Sequence, residues 1–228
     1  MITTTRRLAV LTAALAAGLL AACGGGSGSA TGPTVGTLIP QMQSAVAHAR
    51  SVRMSGSGDD AGQHVTLDLI FAKPAGLEGT FSEGSKSFSV LQTAGKSFVK
   101  IDQQFLTQSG APSTVCATLC GKYVAIPSSS TSSLTSGLSL SALYSQVISK
   151  FPVKSTSKDV FTPTTYHGQA AYRLAVRQGT IVVASSSPHY PLAITSTGQG
   201  AIEFSQWDTA SVPGPPPASQ VVNPSRLG

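Results

Sequence analysis

Apolar side chains fall at every second position through much of this chain. Val65, Leu67, Leu69 and Phe71 alternate with Thr66, Asp68 and Ile70, and a period of two puts one set of side chains on a single face of a β-strand. Leu77 and Phe81 continue the theme, followed by Phe88 with Val90, then Phe98 with Val99 and Ile101. Gly-bearing punctuation separates these runs at Lys73-Pro74-Ala75-Gly76, Glu83-Gly84-Ser85 and Ala94-Gly95. Spacings this short predict an antiparallel meander of hairpins. A strand is expected over residues 123–126. Further strands are expected around Ala170, Tyr172, Leu174 and Val176, around Ile181 and Val183, around Leu192 and Ile194, and around Ile202 and Phe204.

Two segments change the period to that of a helix. Over residues 35–52, Leu38, Ile39, Met42, Val46 and Ala49 form one apolar stripe. Over residues 138–151, Leu140, Leu143, Tyr144, Val147, Ile148 and Phe151 form another, and Pro152 stops it. About eight strands and two long helices predict one α+β domain across residues 35–211. Residues 212–228 are rich in Pro and Ser and read as an irregular tail.

The amino terminus reads as a targeting segment rather than a fold element. Arg6 and Arg7 precede an uncharged Ala/Leu stretch at residues 8–22, shorter than the ~20 residues of a membrane-spanning helix. It closes on Leu20-Ala21-Ala22-Cys23, which resembles a bacterial lipobox. Cleavage is expected before Cys23, whose thiol is the good nucleophile there for a diacylglyceryl group. Two acyl chains at ~0.8 kcal/mol per buried methylene would hold the product on the extracytoplasmic face of the membrane. Residues 23–34, Gly- and Ser-rich after the cysteine, read as a flexible tether. The paired arginines fit both an ordinary positive start and a twin-arginine signal.

Charge excludes one class of partner. The formal net charge is +6, but the basic residues are scattered singly, whereas a nucleic-acid surface needs clustered cations to displace counterions. Charged residues make up only 11% of the chain, which suits strands and turns better than long solvated helices.

Of the three cysteines, Cys116 and Cys120 are left as a pair after Cys23. Pro early and Gly121 late make residues 112–121 a short helix, whose i, i+4 spacing brings both thiols to one face. In an exported chain that pair predicts a structural disulfide; the redox alternative lacks a CxxC motif.

Chemistry-bearing patterns are scarce. His48, His64, His167 and His189 lie far apart without metal-ligand spacing. No nucleophile elbow, Walker loop or dinucleotide fingerprint occurs, so no cofactor and no catalytic residue are expected. The two SxxK strings, at Ser97 with Lys100 and at Ser155 with Lys158, lack the partner motifs a penicillin-binding site requires. Asp59-Asp60 reads as a solvated turn, and Arg173 and Arg177 as solvent-facing residues.

What remains is one-sided apolar sheet with two helices to lay against it. Sheet and helices could fill one another as a plain core, leaving a non-catalytic envelope binding or scaffold module. Alternatively, a groove between them could take acyl chains, since about ten methylenes at ~0.8 kcal/mol each supply several kcal/mol without polar chemistry. The candidate lining of such a cavity is Leu67, Leu69, Phe71, Phe81, Phe88, Val90, Phe98, Leu143, Val147, Leu174, Ile194 and Phe204.

The order of parts also carries a resemblance. Lipobox, tether and first helix lead to Ser51-Val52-Arg53-Met54-Ser55-Gly56, then to Gly95-Lys96-Ser97-Phe98-Val99-Lys100. Later come Gly168-Gln169-Ala170-Ala171-Tyr172-Arg173-Leu174, Tyr190-Pro191-Leu192 and Ile202-Glu203-Phe204-Ser205-Gln206-Trp207. Over nearly the whole mature chain this is similar to actinobacterial lipoproteins of the LppX/LprG type, akin to the carrier that moves lipoproteins across the periplasm. The resemblance implies an open antiparallel β half-barrel with helices on its concave face. It also implies carriage of lipids or glycolipids in the cell envelope and carries over no catalytic residue; the chain is expected to act as a monomer. The Cys116/Cys120 pair is no part of it.

Overall fold

A computed structural model describes residues 32–223 apart from 61, 109, 111, 128–139, 141, 143 and 146–158. Cys23 with the targeting segment before it, most of the tether, the polar loop at 128–133, and Leu143 and Val147 therefore lie outside the described residues.

One open sheet of twelve strands organises the chain, and it makes the fold α+β. The meander expected from the alternation is present as β1 (Ser51–Asp60), β2 (Gln63–Ala72), β3 (Gly76–Glu83), β4 (Lys86–Thr93), β5 (Lys96–Ile101) and β6 (Tyr123–Ile126), paired in sequence order. The second group is β7 (Thr162–Tyr166), β8 (Gln169–Val176), β9 (Gly179–Ala184), β10 (Pro191–Ser196) and β11 (Gly200–Ser205). The two groups meet where β11 pairs antiparallel with β1, Met54 opposite Phe204 and Gly56 opposite Ile202. The outermost strands are β7 on one side and the two-residue β12 (Val221–Val222) on the other.

Glycine makes the β1–β11 seam possible. A Cβ on Gly58 would strike the Gln199 carbonyl, and one on Gly200 would strike the Ser57 carbonyl and Gly58 Cα. Gly200 also holds φ +113°, a region that side chains with a Cβ avoid.

Helix α1 (Val35–His48) lies on one face of the sheet. Its Val35, Leu38, Ile39, Met42 and Val46 are buried in a cluster with Val52, Met54, Leu69, Phe71, Leu174, Ile181, Val183, Ile194 and Phe204. The start of the helix is tied down by the Val35 amide donating to the Asp159 carbonyl at 2.9 Å, and by the Phe161 amide donating to the Pro33 carbonyl at 2.9 Å. The helix ends at His48, not at residue 52 as its apolar rhythm suggests. Ser51 and Val52 already belong to β1 because the Arg50 amide donates to Asp208 Oδ1 at 2.7 Å, a tie no helix could accommodate. Of the second expected helix, Leu140, Ala142, Tyr144 and Ser145 are described and helical, and Leu140 and Tyr144 join the core.

Two short helices, α2 (Gln103–Gln108) and α3 (Ser113–Leu119), link β5 to β6. In α3 the Cys116–Cys120 disulfide joins residues whose Cα atoms are 4.7 Å apart. With only four residues of sequence separation, the loop-entropy estimate gives Cys120→Ser a stability loss of about 2 kcal/mol. Thermal unfolding with and without reductant checks this; a much larger loss would mean that the bridge holds more than its own turn.

The Pro-rich segment after β11 is ordered enough to rejoin the sheet. It forms a 3-10 turn at Ala218–Gln220, and β12 then pairs parallel with β6, Val221 opposite Tyr123. Three strands thus lie beyond those expected from the sequence, the ten-residue β1 and the short β7 and β12, as does the turn before β12.

Candidate functional site

The strand register sorts the sheet into two faces. On the face bearing α1, Leu67, Phe81, Phe88 and Ile101 are cross-strand neighbours in one row, and Gly79, Val90, Val99 and Val124 in the next. Stacked Phe81 and Phe88 rings lie 5.3 Å apart between centroids, and Phe105 of α2 meets Phe88 edge-on at 6.1 Å. Gly79 leaves the room that the Leu69 side chain occupies, since a Cβ there would collide with Leu69 Cδ2.

Burial divides the expected lining residues. Leu69, Phe71, Leu174, Ile194 and Phe204 are 1–7% exposed and sealed within the core. Leu67, Phe81, Phe88 and Val90 are only partly buried, so the apolar face continues beyond the sealed part toward β3, β4 and β5. Phe98 needs correction: it pairs with Leu91 and Ala125, which places it on the opposite face, and Val99 takes the position expected of it. The reason is physical. Phe98 and Val99 are consecutive apolar residues, and a one-residue change of register exchanges the faces.

Tyr144 carries an unusual polar atom in this apolar setting. The residue is 4% exposed, its ring meets Phe204 edge-on at 6.3 Å, and its hydroxyl has no hydrogen-bond partner among the described residues. Burial pushes the phenol pKa well above its usual value. A hydroxyl shut away from water without a partner is costly, and a polar group entering beside it would relieve that cost.

Next to it an aromatic and carboxylate knot fixes the end of β11. Tyr190 and Trp207 stack at 4.3 Å, Phe204 lies 6.0 Å from Trp207, and Trp207 Nε1 donates to the Pro191 carbonyl at 3.0 Å. The Tyr190 hydroxyl donates to Asp208 Oδ2 at 2.6 Å, while Asp208 Oδ1 accepts the Arg50 amide. The Tyr190 hydrogen bond and the Arg50 amide hold the Asp208 carboxyl below the usual carboxylate range. Burial, with Asp208 beside it, pushes Tyr190 up to about 12.

Both shifts set pH windows. A depressed carboxyl stabilises the fold above its unfolded pKa, and the contribution disappears as pH falls through the lower folded value. A raised phenol stabilises below its unfolded pKa near 10 and loses that contribution as pH rises toward 12. Asp208→Asn is expected to lower stability at pH 7 by about 1–2 kcal/mol, and the gap from the unsubstituted chain should close in acid. Urea midpoints at pH 7 and pH 3 check this; a gap that persists unchanged in acid would count against the charge as its source.

The opposite face is polar in its centre. Arg53 Nε donates to Asp68 Oδ1 at 2.8 Å, which lowers the Asp68 carboxyl, and Thr80 pairs with Ser89 at 3.0 Å. Ser55, Ser57, Thr66, Asp68, Thr80 and Glu203 surround a shallow depression of about 370 Å³ there.

The remaining chemical candidates stay apart. His48 bonds to the Ser44 carbonyl, His64 to Asp59, and His189 to the Ala184 carbonyl, while His167 lies 3.6 Å from Glu203. No group of three or more metal-ligating side chains occurs among the described residues. Ser97 and Lys100 stand on opposite faces of β5, so they form no reactive pair. Arg173 and Arg177 are exposed, and the Asp59–Asp60 pair ends β1. No described helix is long and apolar enough to cross a membrane.

No family model and no curated protein matches the chain. Among solved structures the chain is similar to that of MucB, with 9% sequence identity and a TM-score of 0.28, over 80% of this chain and 60% of that one. The chain thus spans less than two thirds of MucB, and a likeness this weak supports nothing about fold or function.

Proposed function

We propose that this chain is an exported lipoprotein, acylated at Cys23 and tethered to the membrane, that binds lipid or glycolipid in the cell envelope. In this reading the open sheet is a half-barrel, and α1 and the helix carrying Tyr144 lie on its concave face. The observation that carries it is the partly buried apolar surface at Leu67, Phe81, Phe88 and Val90, continuous with a sealed core yet not sealed itself. A fatty chain laid along that surface would remove it from water, at ~25 cal/mol per Å² of apolar area covered. The unpartnered Tyr144 hydroxyl would meet a polar part of the same ligand.

A second reading rests on the near-complete burial of Leu69, Phe71, Leu174, Ile194 and Phe204. A core filled to that degree also suits a scaffold module that works through its loops. Mass spectrometry of organic extracts separates the two, applied to non-acylated chain purified without detergent. Stoichiometric lipid is the expected result; protein that is consistently lipid-free would leave the scaffold.

A further inference from the structure

If the α1 face is the lipid surface proposed above, one buried group on it decides which lipids fit there. Tyr144 lies against Phe204, whose ring it meets edge-on at 6.3 Å. Phe204 faces the same side of the sheet as Met54, its cross-strand partner, and both belong to the cluster beneath α1. Two residues back along β11, a step of ~7 Å, Ile202 faces the same way. It stands opposite Gly56, and Gly56 opposite Leu67. Leu67 opens the partly buried apolar row that runs through Phe81 to Phe88. The phenol therefore sits beside the strand on which the sealed core gives way to the open row, and its hydroxyl is buried without a hydrogen-bond partner among the described residues.

Charge decides what can satisfy that hydroxyl. Among the described residues the buried polar ones are Ser51, Thr93 and Ser97, and none of the buried residues is charged. A carboxylate or phosphate drawn in to the phenol would be desolvated with no cation to pair it, at a cost that one hydrogen bond does not return. A neutral carbonyl costs far less to bury and is satisfied by a single donor. Burial raises the phenol pKa, so the hydroxyl keeps the proton it donates. An acyl chain ends in such a carbonyl when it is esterified and in a charged carboxylate when it is free. We infer that the lipid taken on this face is an acyl ester, with one ester carbonyl accepting a hydrogen bond from the Tyr144 hydroxyl, its chain along Leu67, Phe81 and Phe88, and any charged headgroup outside the core.

The chain's single tryptophan, Trp207, stacks with Phe204 at 6.0 Å between centroids, so its fluorescence reads binding beside Tyr144. The full chain bearing Cys23→Ser, which cannot be acylated there, is titrated with dioctanoylglycerol, with the matching dioctyl glycerol diether and with octanoate. The diester should bind about tenfold tighter than the diether, the worth of one hydrogen bond. Adding Tyr144→Phe should abolish that preference by weakening the diester alone, while the diether keeps its affinity. Lipid-free Tyr144→Phe should unfold at a urea concentration no lower than its parent, because it removes an unpartnered buried hydroxyl. A loss of stability would show that the hydroxyl is already bonded, and overturns the inference. Equal affinities for diester and diether before the substitution, or tightest binding of octanoate, overturn it and leave lipid binding standing. Binding of none of the three, with lipid-free protein in the organic extracts, removes the lipid reading itself and this ester site with it.

Discussion

Gly200→Val is expected to lower stability by about 3–5 kcal/mol, at the upper end for single substitutions. Two effects coincide at this residue. Its φ of +113° is strained for any residue with a Cβ, and most of all for a β-branched one. The new Cβ would also land on the Ser57 carbonyl and Gly58 Cα, backbone atoms of β1 that cannot swing aside as a side chain can. Gly198 separates these effects, because its φ is +72° yet nothing lies within 4 Å of its ideal Cβ. Gly198→Ala should therefore cost only about 1–2 kcal/mol. Urea midpoints for the two variants measure the difference, and equal losses would show that the β1–β11 approach adds nothing.

The second large effect concerns the proposed lipid binding rather than the fold. Phe88→Glu is expected to cut the lipid recovered from purified protein at least tenfold, because a carboxylate on the apolar row must be desolvated when a fatty chain arrives. Stability should fall by about 1–3 kcal/mol through the lost contacts with Phe81 and Phe105. Ser89→Glu is the control: the same strand and the same charge, one position on, facing the opposite side beside Thr80 and Lys100. Equal lipid recovery from both variants would remove the apolar row from consideration as the binding surface.

What the sequence disclosed follows the strength of its periodicity. Leu38, Ile39, Met42 and Val46 were legible as one helical stripe, and all are buried. The alternation from Val65 to Phe71 gave β2 its face, because Thr66 and Asp68 separate the large apolar residues over most of the strand. Strand β1 was hidden because its second half is Ser, Gly and Asp, with no apolar alternation, and Gly56 and Gly58 there lie close against the β11 side. The edge strand β7, Thr-Pro-Thr-Thr-Tyr, holds no aliphatic residue at all, and an edge position tolerates its proline. Strand β12 depends on a pairing almost a hundred residues away in the chain, Val221 with Tyr123. Of the described candidate lining residues, Phe98 stands on the other face of the sheet, because two adjacent apolar residues left the register undecided in the sequence. The Tyr190–Asp208 knot leaves no local pattern, since it joins parts of the chain that only folding brings together.

The seam between first and eleventh strands has a consequence for how the molecule comes into being. Met54 finds Phe204 only after some 150 residues of intervening chain have emerged. Until then one flank of β1 offers bare amides and carbonyls to any extended segment nearby, including another nascent copy. Hairpins near the amino terminus can assemble early from contacts close in sequence, but the two halves fuse late and slowly, as distant pairings do. A chaperone that shields that flank while the chain is being made would act on the most vulnerable moment in the life of this polypeptide.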